Sequence, residues 1–453
     1  MSTDSPNVVY FVCHDLGRHL PCYGVAVETP NLGAFARQSV VFENAFCNSP
    51  ACTPSRACAM TGRYAHTTGC VGLSHMGWPL DLSERTIVDY LNEAGYETIL
   101  SGVNHERHPR TDRYEVDVTE TWEDWHTERA VGNAVAHLER RDRDRPFYLN
   151  VGSQQPHAST WSHADDMYGG AVPPEDVWIP PYCPDTPLLR RLFGRYQAAI
   201  RYMDEHFGRL MAALNELGYS ENTIVVFTTD HGISARRSKG TLYDRGVEIT
   251  LMVRLPDGRG AGTRHGHLVQ NIDFAPTLLE AAGRSVPDEV QGRSFWPLLT
   301  GGSYEPHDAV FIERNFHGER PHRGADTYID RYDPIRAVRT PDFHYIRWFR
   351  PGIKPRPLLP FELPAHWEEQ SARLDSAWPE PEEPRNPEEL YHVRHDPQEF
   401  VNVVDRPEYR HVRADFRRRL EQWMEATHDF ALRGEAPERP EEPGWGPNWP
   451  LHD

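Results

Sequence analysis

Short, continuous apolar segments alternate with longer helical segments over the first two thirds of the chain. The first, Asn7-Val8-Val9-Tyr10-Phe11-Val12, is typical of a strand that is buried on both faces. Further strands are predicted at 98–100, 147–149, 224–227 and 249–253, and helical periodicity marks 86–94 and 188–217. Strands that alternate with helices predict an α/β domain with a large, mixed, mostly parallel sheet flanked by helices.

The pattern changes after about residue 300. Residues 337–347 predict two short strands around a turn, and 409–427 predict one amphipathic helix. Residues 350–390 are rich in Pro and Glu, which favours a long surface excursion. We therefore expect a large α/β domain over 1–325, a smaller C-terminal α+β subdomain with an antiparallel sheet over 326–430, and a Pro/Trp-rich tail over 431–453.

Charge and hydropathy exclude several classes of partner. The net charge of −19 argues against nucleic acid or anionic lipid as a partner, so an anionic substrate needs a local positive pocket. No apolar run approaches the roughly 20 residues that a membrane helix needs. The N-terminus shows no basic region followed by an apolar stretch, so we expect no secretory leader and a cytoplasmic location.

Polar residues follow the predicted strands at the points where the strands end. His14 and Asp15 come after the first strand, and Asp230 and His231 come after the strand at 224–227. The carboxyl ends of parallel strands share one edge of a sheet, so these side chains should converge on one site. The plainer interpretation of each single Asp is a helix cap.

Cys52 differs from the other cysteines in its surroundings. The seven cysteines include no C-x-x-C pair, which argues against a zinc knuckle, and most are expected to be small buried hydrophobes. Cys52 instead lies in Cys52-Thr53-Pro54-Ser55-Arg56, followed by Thr61-Gly62-Arg63. This segment resembles the sulfatase family of the alkaline phosphatase superfamily, in which this cysteine is oxidised to formylglycine. The alternative is a buried structural cysteine.

The resemblance implies a nucleophile and its chemistry. A hydrated formylglycine at Cys52 carries two hydroxyls on one carbon: one attacks sulfur, and the other later expels sulfate. A plain cysteine or serine would stay esterified. We expect a helix to start after Pro54, because a helix N-terminus favours a sulfate group.

The resemblance also implies one divalent cation. Its ligands would be Asp15, Asp230 and the modified Cys52, together with His14 and His231. His14 stands where the family usually has a first aspartate, whereas His231 matches a position that holds asparagine or histidine. We expect Ca²⁺, and the two imidazoles also suit Mn²⁺ or Zn²⁺.

Four further residues match catalytic positions of the family. Arg56 and Lys239 would bind the sulfate group, and Lys239 is one of only two lysines, with Lys354, among 48 basic residues. His157 would protonate the leaving group, and His105 would act as the base that releases sulfate. Val103 replaces the usual lysine two residues before His105, so one sulfate contact of the family is missing.

The substrate class follows from more local resemblance. The segments around Gly69 to His75 and Phe311 to Arg323 are similar to the sulfamidase-like (heparan N-sulfatase) and other glycan sulfatases. A sulfated saccharide or a small sulfate ester is therefore expected, and a formylglycine-generating enzyme is the expected maturation partner. Candidate sugar contacts, each equally open to interpretation as a solvated loop residue, are His75, His317, Arg320 and Arg323.

Two alternatives remain open. A phosphonate monoester or phosphodiester hydrolase shares the fold, the formylglycine and the metal, and His231 favours it. An inactive, sulfatase-like glycan-binding protein is favoured only by His14 and Val103, the two departures from the family pattern.

Overall fold

The computed structural model describes residues 5–106, 113–319, 329–353 and 385–440. These ranges form an eight-stranded and a four-stranded sheet. The strands are β1 Asn7–Cys13, β2 Val40–Phe46, β3 Glu97–Gly102, β4 Val116–Asp117, β5 Phe147–Gly152, β6 Thr223–Thr229, β7 Leu251–Arg254, β8 Arg264–Gln270, β9 Val310–Glu319, β10 Ile329–Arg339, β11 Phe343–Trp348 and β12 Glu388–His392. The α-helices are α1 Pro30–Arg37, α2 Cys52–Thr61, α3 Ala65–Thr68, α4 Ile87–Glu93, α5 Thr127–Arg140, α6 Pro187–Glu216, α7 Asp244–Val247, α8 Phe274–Ala281, α9 Trp296–Thr300 and α10 Arg410–Ala426.

The large sheet is mostly parallel, as predicted. Its strand order is β4-β3-β5-β1-β6-β7-β2-β8, and only β7 runs antiparallel to its two neighbours. Strand β1 lies between β5 and β6, pairing in parallel with both. The first strand predicted from the sequence is thus the central one, and every residue of it is buried.

Two hydrophobic layers cover the faces of this sheet. Val9 and Phe11 of β1 pack in the layer that includes α5 and α6, where Phe11 meets Phe207 edge to face at 5.2 Å between ring centroids. Val8 and Tyr10 point to the opposite layer, which includes α4 and α8. Burial on both faces explains why β1 is continuously apolar rather than alternating.

The small sheet is antiparallel, in the order β12-β11-β10-β9. Helix α10 packs on it through Phe416, Leu420 and Met424, which share one core cluster with Val338 and Tyr345. The two strands predicted within 337–347 are confirmed as parts of β10 and β11.

The prediction of a surface excursion over 350–390 was wrong at its C-terminal end. Glu388–His392 is strand β12, which hydrogen-bonds to β11. The remainder of the excursion over 354–384, and the tail over 441–453, lie outside the described residues. The domain boundaries stay predictions. No helix within the described ranges is both long enough and apolar enough to cross a membrane.

Candidate active site

Four strand ends of the large sheet meet at one buried site. His14 and Asp15 follow β1, and Asp230 and His231 follow β6. On the other side of β1 the sheet continues with β5 and then β3, which are followed by His157 and His105. The His14 ring centroid lies 4.9 Å from that of His105 and 5.4 Å from that of His157. The structure therefore brings together the side chains that the sequence placed at strand ends.

Two carboxylates form the acidic centre of the site. Asp15 and Asp230 are each 2% exposed or less. The Asp15 amide donates to Asp230 Oδ1 at 2.9 Å, which is possible because Asp15 takes a left-handed conformation with φ of 52°. Aspartate tolerates this conformation better than most residues. The backbone turn after β1 thus ties the two acidic positions together.

Each carboxylate is paired with a buried cation. Lys239 Nζ donates to both Asp15 oxygens at 2.9 Å, and Arg56 Nε and Nη2 both lie 3.4 Å from Asp230 Oδ2. Burial opposes the ammonium charge, but the Asp15 carboxylate outweighs it and raises the pKa of Lys239. Burial likewise opposes the Asp230 charge, yet His231, His14 and Arg56 hold the pKa of Asp230 well below its usual range. The Asp230 carboxylate is therefore ionised at neutral pH.

Cys52 is the first residue of α2, and it is 4% exposed. The helix begins at Cys52 rather than after Pro54, three residues earlier than expected. Pro54 fits within its first turn because an amide there has no helical partner to lose. Cys52 and Arg56 are four residues apart and so share one helix face. Burial raises the pKa of the Cys52 thiol to about 12, which makes the unmodified side chain a poor nucleophile.

His231 directs an unprotonated nitrogen into the site. Its Nδ1 lies 2.9 Å from the Gly232 carbonyl, which only accepts, so Nδ1 carries the proton and Nε2 is left with a lone pair. That Nε2 lies 3.3 Å from Cys52 Sγ, 3.5 Å from Asp15 Oδ1 and 3.6 Å from Asp230 Oδ1. A carbonyl that fixes the tautomer of a histidine is the usual support of a metal ligand.

The donor set fits a divalent cation. One donor atom from each of His14, Asp15, Cys52 and Asp230 lies within 4.8 Å of all the others. Nε2 of the fully buried His14 has no hydrogen-bond partner among the described residues. Its Nδ1 lies 2.9 Å from Asp230 Oδ2. Cys52 Sγ here stands for the oxygen that formylglycine would place at the same position. A buried ring nitrogen without a partner, in a site with two carboxylates, is a group that a bound cation would satisfy.

Two histidines at the edge of the site are neutral at pH 7. Burial, with the nearby charges of His14 and Arg56, lowers the pKa of His105 well below its usual value. Burial and the Lys239 ammonium do the same to His157, whose Nε2 lies 3.9 Å from Asp15 Oδ2. A neutral imidazole can accept a proton at one nitrogen and donate from the other.

Of the four predicted sugar contacts, the structure describes the side chain of only one. His75 lies in the short helix Ser74–Met76, close enough for its charge to lower the pKa of His105. His317 pairs with Arg331 in the small sheet through the backbone, and its side chain is outside the described part. Arg320 and Arg323 lie outside the described residues altogether. Val103 is 1% exposed and belongs to the interior.

Sequence reasoning did not single out Ser159. Its Oγ lies 2.8 Å from His157 Nδ1, and its amide donates to the same nitrogen at 3.2 Å. His157 is the cap of the short helix Ala158–Ala164, and its side chain accepts from the Ser159 amide.

Comparison with known proteins supports the resemblance. The family model described as Sulfatase matches residues 6–284, and the model described as N-sulphoglucosamine sulphohydrolase, C-terminal, matches residues 230–350. An ulvan-active sulfatase of Formosa agariphila is 28% identical over 492 residues, covering 94% of this chain and 76% of that protein. Human N-sulphoglucosamine sulphohydrolase is 26% identical, covering 89% of this chain and 86% of the relative.

Solved structures share the fold. One, solved in complex with its substrate D-glucosamine-2-N,6-O-disulfate, superposes with a TM-score of 0.71 at 19% identity over 94% of this chain and 98% of its own. The phosphonate monoester hydrolase of Agrobacterium radiobacter superposes with a TM-score of 0.67 at 19% identity, covering 94% of this chain and 97% of its own. The Sulfatase model spans more than half of the sequence. The chain therefore belongs to the sulfatase family of sulfuric ester hydrolases.

Proposed function

We propose that the protein hydrolyses a sulfate ester or a sulfamate of a saccharide or of another small molecule, with Cys52 converted to formylglycine as the nucleophile. One observation carries the proposal: residue 52 opens helix α2 within a site that also holds two buried carboxylates and two buried cations. The metal would be bound by oxygens of Asp15, Asp230 and the modified residue 52. The negative charge of the sulfate group would be offset by Arg56 and Lys239.

The proposed cofactor is one divalent cation. It would be held by His14, Asp15, Asp230, His231 and the modified residue 52, and when bound it would polarise the sulfate group. Calcium is the ion that the family resemblance implies, and the two histidine nitrogens also suit Mn²⁺ or Zn²⁺. Formylglycine would supply an oxygen nucleophile that the protonated Cys52 thiol lacks.

The protein's own side chains account for binding and proton handling. Arg56 and Lys239 offset the charge of a sulfate group, and the N-terminal amides of α2 favour an anion at the same place. His157 would place a proton next to the leaving atom. His105 is neutral because burial lowers its pKa, so it can accept a proton when sulfate is released.

Saccharide substrates are proposed from the relatives. Those relatives are described as an ulvan-active sulfatase and an N-sulphoglucosamine sulphohydrolase. We propose a sulfated saccharide for this chain as well, with His75 and the residues predicted near it, His317, Arg320 and Arg323, as sugar contacts. A formylglycine-generating enzyme in the host is the proposed maturation partner.

Two measurements on protein purified from its native host test the proposal. Mass spectrometry of the peptide that contains residue 52 should show formylglycine, and the protein should release sulfate from glucosamine sulfated at N2 or O6. The matched Cys52→Ala variant should release none. Unmodified cysteine together with no turnover would instead support the binding-protein alternative.

A second candidate is a phosphonate monoester hydrolase. His231, whose lone pair faces the site, and the structural likeness to a phosphonate monoester hydrolase favour it. Turnover of an aryl sulfate and an aryl phosphonate monoester by one preparation separates the two functions. A higher kcat/KM for the phosphonate would overturn the sulfatase assignment of substrate while leaving the nucleophile in place.

A further inference from the structure

Two donors of Ser159, its backbone amide and its hydroxyl, both point to Nδ1 of His157. The Ser159 amide donates to His157 Nδ1 at 3.2 Å, and Ser159 Oγ lies 2.8 Å from the same atom. A backbone amide can only donate, so Nδ1 must act as an acceptor and cannot carry a proton in this arrangement. The ring N–H is therefore at Nε2.

The surroundings orient the serine hydroxyl in the same sense. Gln154 Nε2 donates to Ser159 Oγ at 3.2 Å, which leaves the hydroxyl hydrogen free for His157 Nδ1. The segment itself is held by two other bonds: Trp161 Nε1 donates to the Pro156 carbonyl at 2.9 Å, and the Thr160 amide donates to the His157 carbonyl at 2.9 Å. Gln154 thus donates to the Ser159 hydroxyl, and the Ser159 hydroxyl donates to the His157 ring.

We infer that Ser159 is a positioning residue that holds His157 as the Nε2–H tautomer and presents that proton to the leaving atom of the substrate. The inference rests on the proposed function, which places the leaving atom near His157. Nε2 is on the site side of the ring, 3.9 Å from Asp15 Oδ2, whereas Nδ1 faces the short helix Ala158–Ala164.

The consequence concerns the departing oxygen. When the bond between sulfur and that oxygen breaks, the bonding electron pair remains on the oxygen, and a hydrogen bond from His157 Nε2 stabilises the developing charge. A leaving group that is already acidic, such as nitrophenol, needs little of this help, whereas an alcohol of a sugar needs much more. Ser159→Ala keeps the backbone amide but removes the shorter of the two bonds to His157 Nδ1. The weaker hold on this tautomer should therefore penalise poor leaving groups selectively.

The experiment compares Ser159→Ala with Ser159→Thr and with Ser162→Ala on the mature holoenzyme. Ser162 is an exposed residue of the same short helix, so Ser162→Ala is the matched control. The probes are nitrophenyl sulfate, phenyl sulfate and an alkyl sulfate. For Ser159→Ala we expect kcat on the alkyl sulfate to fall about tenfold and kcat on nitrophenyl sulfate to change less than about twofold. Ser159→Thr keeps the hydroxyl and should restore the wild-type pattern.

The outcomes separate this inference from the proposed function. Equal losses on all three probes, or no loss on any, would overturn the positioning role while the wild type still hydrolyses sulfate esters. No hydrolysis by the mature wild type would instead overturn the proposed function. His157→Gln, which keeps a donor but removes the ring, should show the same selectivity for poor leaving groups as Ser159→Ala, with a larger loss.

Discussion

Lys239 Nζ lies 2.9 Å from both carboxylate oxygens of Asp15, and the two side chains come from loops that follow different strands. Lys239 is 3% exposed, and it is one of two lysines in a chain with 48 basic residues. A compact ammonium reaches both oxygens of one carboxylate from a single point, which a planar guanidinium does not reproduce in the same space.

Replacement of Lys239 should abolish most activity. Because it also removes the cation that pairs with the buried Asp15 carboxylate, the free energy of unfolding of each variant is measured beside its kinetics. We expect Lys239→Ala to lower kcat/KM by about 10²-fold or more, because the preorganised positive charge that is proposed to bind the sulfate group is removed. Lys239→Arg should not restore activity, since the guanidinium is larger and planar. Steady-state kinetics on a sulfate ester measures this, and Arg259→Ala, at an exposed ion pair, is the control. Full activity of Lys239→Arg would show that only charge matters.

The choice of metal should depend on His14. Replacing its imidazole by a carboxylate in His14→Asp exchanges a nitrogen donor for an oxygen donor beside Asp230. We expect the affinity for Ca²⁺ relative to Mn²⁺ to rise about tenfold, because Ca²⁺ prefers oxygen ligands. Equilibrium dialysis of the metal-free protein with each ion measures the ratio directly. His411→Asp, at an exposed position of α10, should leave it unchanged. An unchanged ratio in His14→Asp would mean that His14 is not a ligand.

A buried ion pair joins the small sheet to the C-terminal part of the described chain. Arg336 is fully buried, and its Nε and Nη2 donate to the two oxygens of Asp429 at 2.5 and 2.8 Å. Nη2 also donates to Asn315 Oδ1 at 2.9 Å. Removing one partner leaves the other charge buried alone, so Arg336→Ala should lower the free energy of unfolding by about 3–5 kcal/mol. Chemical denaturation measures this loss.

The same measurement on a double variant distinguishes charge burial from packing. Arg336→Met combined with Asp429→Leu removes both charges and keeps apolar volume. It should be clearly more stable than Arg336→Ala, because neither charge is then left without a partner. A double variant that is as unstable as the single one would show that the hydrogen bonds themselves dominate.

Much of the fold was predictable because the central strands are buried on both faces. Strands β1, β3, β5 and β6 are buried along their whole length, and each was predicted from the short apolar run within it. Strand β8 was missed because its exposed half reads Arg264-His265-Gly266-His267, with no apolar pattern. Strand β2 was missed because Glu43 and Asn44 interrupt it. Half-covered strands near one end of the sheet carry less sequence signal than its centre.

The site was predictable in position but not in its pairings. His14 and Asp230 converge because β1 and β6 are parallel neighbours, so that their carboxyl ends share one edge of the sheet. The contact of Lys239 with Asp15 depends on the path of the loop after Gly232, and no periodicity describes a loop. Ser159 was missed for the same reason, because its role depends on the direction of a backbone amide.

Stability should fall with rising pH through one buried histidine, His344. Its Nδ1 lies 2.6 Å from Glu399 Oε1 and 3.2 Å from Asp244 Oδ1, at the junction between the small sheet and the loop that carries Lys239. Burial opposes the imidazolium, but the Glu399 and Asp244 carboxylates outweigh it and raise the pKa of His344 to about 9. A group whose pKa is raised on folding stabilises the protein fully below its unfolded pKa of 6.5.

That contribution is lost as the pH rises from 6.5 through 9, the interval between the unfolded and folded pKa values of His344. We expect the free energy of unfolding to decline over this interval by on the order of 3 kcal/mol from this group. His344→Gln should be less stable than the wild type at about pH 6 and should show a flatter pH profile. Denaturation at several pH values measures both, and His411→Gln is the exposed control. Parallel profiles for the wild type and His344→Gln would show that His344 is not charged in the folded protein.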